Sequence, residues 1–147
     1  MLAHLLRRLG DVTAPVRDTT RTARPTGGRV AIAAVIDVVL VLVFVLIGRG
    51  SHGENVIGGA LVTFWPFAVG TLVGWLVSRA WKAPFALWPT GVIVWLATLV
   101  VGMLLRVASA QGIAVSFVIV AAVVLAVFLI GWRAAALAVR AIAARRG

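Results

Sequence analysis

Four long apolar runs, joined by short polar segments, dominate the chain: residues 30–48, 56–78, 85–105 and 113–132. A hydrocarbon core of about 30 Å takes about 20 helical residues to cross at 1.5 Å each, so every run can span it. Inside lipid each backbone N–H and C=O needs an internal partner, which runs of this length and spacing can supply only as helices. None alternates apolar with polar residues, as barrel strands do. The pattern predicts an all-α integral membrane protein with a four-helix transmembrane bundle. Residues 49–55 and 106–112 are short links, so the bundle is expected to consist of two antiparallel hairpins.

The remaining segments read differently. Leu2, Leu5, Leu6 and Leu9 recur at helical spacing while His4, Arg7 and Arg8 point elsewhere, so residues 1–10 are expected to form a short amphipathic helix on the membrane surface. The same polar residues argue against a signal peptide, leaving the first run as an uncleaved insertion signal. Residues 11–29, rich in Thr, Arg, Pro and Gly, have too little apolar surface to fold and read as a flexible basic linker. The membrane domain is then 30–133. No breaker follows the fourth run, so residues 134–147 should carry a helix onward into the cytoplasm.

Charge sets the orientation. The net charge is +10 over 147 residues, with 63% hydrophobic residues and a mean hydropathy of +1.12. Twelve of the fourteen basic residues precede the first run, lie between the second and third, or follow the fourth; only Arg49 and Arg106 fall on the other side. The positive-inside rule then places both termini in the cytoplasm of a plasma-membrane protein. It also turns the basic segments toward anionic inner-leaflet phospholipids, where each charge is worth about 1 kcal/mol. Basic charge distributed in this way argues for a lipid bilayer as partner and against nucleic acid.

Composition removes several chemistries. With no cysteine, there are no disulfides, thiolate metal sites or cysteine nucleophiles. The histidines, His4 and His52, lie outside the runs and cannot pair to hold haem. Asp11, Asp18, Asp37 and Glu54 are too scattered for a metal cluster, and Ser51-His52, being neighbours, do not make a catalytic geometry. The reading is of a protein that is not an enzyme and carries no cofactor or metal.

Asp37 is the most informative residue. It lies seven residues inside the first run, about 10 Å deep, where inserting a carboxylate costs about 2.5–3.5 kcal/mol. Its helical face, with Ala34, Val41, Phe44 and Gly48, should turn into the bundle. Thr71 falls at similar depth, and Arg133 can lean inward from the end of the fourth run. Two readings stay open: a proton or cation site, or a hydrogen bond or ion pair that fixes packing. Trp65-Pro66-Phe67 and Trp95 fall near mid-run, unlike Trp75, Trp81, Trp88 and Trp132, which have headgroup-belt positions. Pro66 should kink its helix and either open a small cavity lined by aromatic rings and Thr63, or leave a gap that bulky rings fill. Arg49, His52, Glu54 and Arg106 converge on the external surface if the hairpins lie side by side. They read either as an anion, headgroup or pH-sensing cluster, His52 titrating near about 6.5, or as snorkelling and solvated residues. Gly70 and Gly74 permit close helix contact, within the bundle or between subunits of a homo-oligomer. An offset of 57 residues superimposes Arg49 on Arg106, Gly74 on Gly131 and Trp75 on Trp132, which is consistent with a duplication or with interfaces that independently favour Arg and Trp.

In order along the chain, Asp37, Gly48-Arg49-Gly50-Ser51-His52, Trp65-Pro66-Phe67, Trp88-Pro89-Thr90-Gly91, Gly102-Met103-Leu104-Leu105-Arg106 and Gly131-Trp132-Arg133 resemble the domain-of-unknown-function 3054 family of small, largely actinobacterial membrane proteins. The resemblance runs from about Asp37 to Arg133 and implies four spans; the family has no established activity to carry over. Two functional classes therefore follow: a structural, accessory or lipid-binding membrane component, or a small oligomeric transporter or channel subunit that uses Asp37 within the membrane.

Overall fold

The computed structural model describes residues 25–50 and 56–147. The amphipathic segment 1–10, most of the linker, and His52 and Glu54 lie outside the described residues. Within them the chain is helical. Helix α1 runs Gly27–Gly50, α2 Val56–Ser78, α3 Val92–Ala108, α4 Val115–Leu129 and α5 Gly131–Arg146. Among the described residues, four helical stretches, Gly27–Gly50, Gly59–Ser78, Leu87–Ala108 and Val115–Arg146, are long and apolar enough to cross a membrane.

Local chemistry explains where the helices start and break. Thr26 O accepts from the amides of Arg29 and Val30, so helix winding begins before the apolar run does. Between α2 and α3 the chain makes a short 3₁₀ turn over Ala80–Lys82, then one wider turn over Leu87–Gly91, in which the amide of Gly91 donates to Ala86 O. Pro89 has no amide to donate, and Trp88 is extended at φ −119° and ψ 134°, so the third α-helix proper waits until Val92. At the far end, Ala134 N bonds Ile130 O, and the helix carries on almost without interruption from α4 into α5.

The helices form a ring in which α1 packs on α2 and α4, and α3 packs on α2 and α4; the most extensive interface joins α2 to α3. Glycines set that closeness. A Cβ on Gly70 would lie 2.9 Å from Thr98 Cα, and one on Gly74 would lie 2.7 Å from Val94 Cα, so only glycine lets these backbones approach so far. The core between the helices contains Val41, Phe44, Phe67, Val94, Leu125 and Leu129. Phe44 meets Phe67 edge-on at 5.2 Å, the arrangement aromatic quadrupoles favour. Outside, the helices present apolar side chains such as Val35, Leu61, Leu72, Val100, Ile119 and Val127. A surface of that kind suits hydrocarbon as solvent.

Candidate functional site

Among the described residues one buried charge cluster stands out, and its ion pair joins the first described helix to the last. Asp37 of α1 and Arg133 of α5 are each 0% exposed. The guanidinium grips the carboxylate with two bonds, NH1 to Oδ1 at 2.9 Å and NH2 to Oδ2 at 2.7 Å. Two indoles complete the carboxylate's shell: Trp132 Nε1 donates to Oδ1 and Trp75 Nε1 to Oδ2, each at 2.8 Å. An ionised carboxylate offers about four lone-pair sites, and all four are taken. Arg133 is held from behind as well. Its Nε donates to Pro84 O at 3.0 Å, and NH1 donates also to Leu129 O at 2.7 Å. Its aliphatic stem lies against Gly91, where a Cβ would come within 3.0 Å of Cδ. The cluster thereby ties α1, α2, the turn before α3, and α5 together at one end of the bundle.

Thr71 lies one helical turn from Trp75 along α2 and takes a different partner. Its hydroxyl lies 3.0 Å from that of Thr98 on α3, and each hydroxyl also lies within bonding distance of the carbonyl four residues before it, Phe67 O or Val94 O; with one proton apiece, one threonine donates to the other, which donates to its own backbone carbonyl. This pair spans the tight α2–α3 interface. Trp95 donates to Ala122 O at 2.9 Å, joining α3 to α4.

At the other end of the bundle, Arg49 and Arg106 converge on a cavity of about 150 Å³ shared with Phe44, Val45, Gly48, Thr63 and Phe117. Arg49 NH1 donates to Thr63 Oγ1 at 3.1 Å, and its guanidinium packs against Gly59. Arg106 lies over the Phe117 ring at 4.7 Å and donates to Gln111 Oε1 and Gly112 O.

A family model described as a protein of unknown function, DUF3054, matches residues 34–136. The chain belongs to the DUF3054 family. No curated protein and no solved structure matches it. The side chains of the DUF3054 cluster, Asp37, Trp75, Trp132 and Arg133, all fall inside the matched region.

The DUF3054 chain departs from sequence expectation in identifiable ways. Asp37 and Arg133 meet, but the partner from the second span is Trp75 rather than Thr71, which pairs with Thr98. Trp75 and Trp132, read as headgroup anchors, turn their indole N–H groups inward to the carboxylate. Pro66 is fully buried within a helix that continues on both sides of it. Thr63 does line a cavity with aromatic rings, but the rings are Phe44 and Phe117; Trp65 is 40% exposed and Trp95 is engaged with α4. Arg49 and Arg106 share one cavity, while His52 and Glu54 lie outside the described residues.

Proposed function

We propose that this multi-pass membrane protein is a structural or accessory component of the plasma membrane, with both termini in the cytoplasm, that conducts no solute itself. One observation carries the reading: every acceptor site of Asp37 is occupied by a donor from its own chain. A proton or cation carrier needs a carboxylate that its cargo can reach and leave. Here a cation would have to displace a bidentate arginine in a buried site, and the pair instead serves as a fixed joint between the first and last membrane helices. Mutual neutralisation also offsets the cost of holding either charge in hydrocarbon.

Proteoliposomes test this directly. Wild-type protein is expected to pass protons and monovalent cations no faster than empty vesicles, and Asp37→Asn to melt earlier. Flux in the wild type that vanishes in a normally folded Asp37→Asn protein would establish a transporter instead. Orientation is checked on this cysteine-free chain with single Ser109→Cys and Gly147→Cys substitutions. A membrane-impermeant maleimide should label the first in intact cells and the second only after permeabilisation.

A further inference from the structure

At the same end as the Asp37–Arg133 joint, the surface has a second constellation that the joint does not use. A cavity of about 270 Å³ is lined by Pro25, Arg29, Lys82, Pro84, Phe85 and Arg140, among others. Three cations from three separate elements, the start of α1, the turn after α2 and the body of α5, border it, and among the described residues its lining has no carboxylate. All three are exposed, while Pro84 is buried and Phe85 half-buried, so the site has a charged rim and an apolar wall. Arg140 lies over the Phe85 ring at 4.2 Å, which fixes one guanidinium above the opening. The volume falls just below the roughly 300–1,000 Å³ typical of pockets for drug-sized ligands, a size that suits a headgroup and not a whole lipid.

Position says where the ligand comes from. Arg29 opens the first apolar helix and Lys82 follows the end of the second, so the cavity lies at the level where the spans leave hydrocarbon. Trp81 and Trp88, 43% and 74% exposed, flank it in sequence with indoles of the type that settle among headgroups. Basic pockets between helices at this level attract phosphate diesters on lipids. We infer that Arg29, Lys82 and Arg140 form a binding site for the phosphate headgroup of an anionic phospholipid.

The site adjoins the joint through a shared wall. Pro84 gives its carbonyl to Arg133 Nε, and Phe85 meets the Trp132 ring edge-on at 5.5 Å. A headgroup that draws α1, the turn and α5 together therefore braces the segment that supports Arg133. This adds to the reading of a non-conducting component but does not depend on it: ion flux would overturn that reading, and loss of headgroup preference would overturn this one.

The test uses the full chain in zwitterionic micelles, titrated with phosphatidylglycerol, phosphatidylcholine or inorganic phosphate, and followed by lipid adducts in native mass spectrometry and by melting temperature. Phosphatidylglycerol is expected to bind at least tenfold more tightly than phosphatidylcholine and to raise the melting temperature, with inorganic phosphate doing neither. The Arg29→Gln, Lys82→Gln, Arg140→Gln triple variant should lose at least tenfold in affinity, and the Arg29→Lys, Arg140→Lys variant should retain most of it. The control removes the same number of charges from the same end outside the cavity, with Arg79, Arg145 and Arg146 all changed to Gln. Equal loss in that control would show diffuse surface attraction and sink the site. Binding of inorganic phosphate as tight as that of the lipid would overturn the lipid assignment. If the triple variant melts early without lipid, single Arg140→Gln replaces it, and unchanged phosphatidylglycerol affinity there counts against the site.

Discussion

Arg133 shows how much one side chain can organise when each of its three nitrogens has a destination. Four of the five N–H groups of a guanidinium are engaged here, two on Asp37 and one each on Pro84 O and Leu129 O. Removing either partner of such a buried pair leaves the other uncompensated, so Asp37→Asn and Arg133→Gln should each destabilise the fold by about 3–5 kcal/mol. The Asp37→Asn, Arg133→Gln double variant should lose much less than the sum, a coupling that reversible unfolding in micelles would measure. Arg133→Lys keeps the charge but not the fork, and should recover only part of the loss. Trp75→Phe removes one hydrogen bond to a charged acceptor, worth about 1.5–3 kcal/mol; Trp132→Phe alters the Phe85 contact too and should cost more. At this scale the sequence was partly legible. A lone carboxylate in an apolar run had to have a partner, and Arg133 was one of few within reach. The indoles were hidden because a tryptophan near a helix end suits the headgroup belt equally well, and the rotation that turns Trp75 and Trp132 inward is set by packing among helices.

Among the elements, α2 and α3 are bound by contact rather than charge. Gly74→Val would drive a branched side chain into the Val94 backbone, and overpacking of this kind costs about 1–3 kcal/mol or more. The expected result is a lower melting temperature and weaker crosslinking between cysteines placed across the interface. Thr71 and Thr98 make a subtler test. Changing one to Val removes the bond between the hydroxyls but leaves the other hydroxyl donating to Phe67 O or Val94 O, so each single change should cost only about 0.5–1.5 kcal/mol, and changing both should cost less than the two single changes combined. Hydropathy was enough to find four membrane-length helices, because lipid leaves the backbone few choices. It was not enough to rank their interfaces: loop length says which helices are consecutive, whereas the α2–α3 contact depends on which glycine faces coincide. The delayed start of α3 is likewise a matter of local geometry, set by Trp88 and Pro89, inside an otherwise continuous apolar run.

For the molecule as a whole, the four helices make a sleeve of apolar residues with a different charged feature at each end: the Asp37–Arg133 pair and its basic rim at one, the Arg49–Arg106 cavity at the other. The pair also has a temporal side, because its members are 96 residues apart. A ribosome adding about 5–20 residues per second needs roughly 5–20 s to go from one to the other. For that interval Asp37 is a carboxylate on a membrane helix whose arginine has not yet been made. A chain stopped at Ile130 keeps it in that condition permanently and should be degraded faster than full-length protein in a pulse–chase experiment. Asp37→Ala in the same shortened chain should restore much of its lifetime. The lifetime of the first helix would then depend on a side chain that enters the chain 96 residues after its own carboxylate.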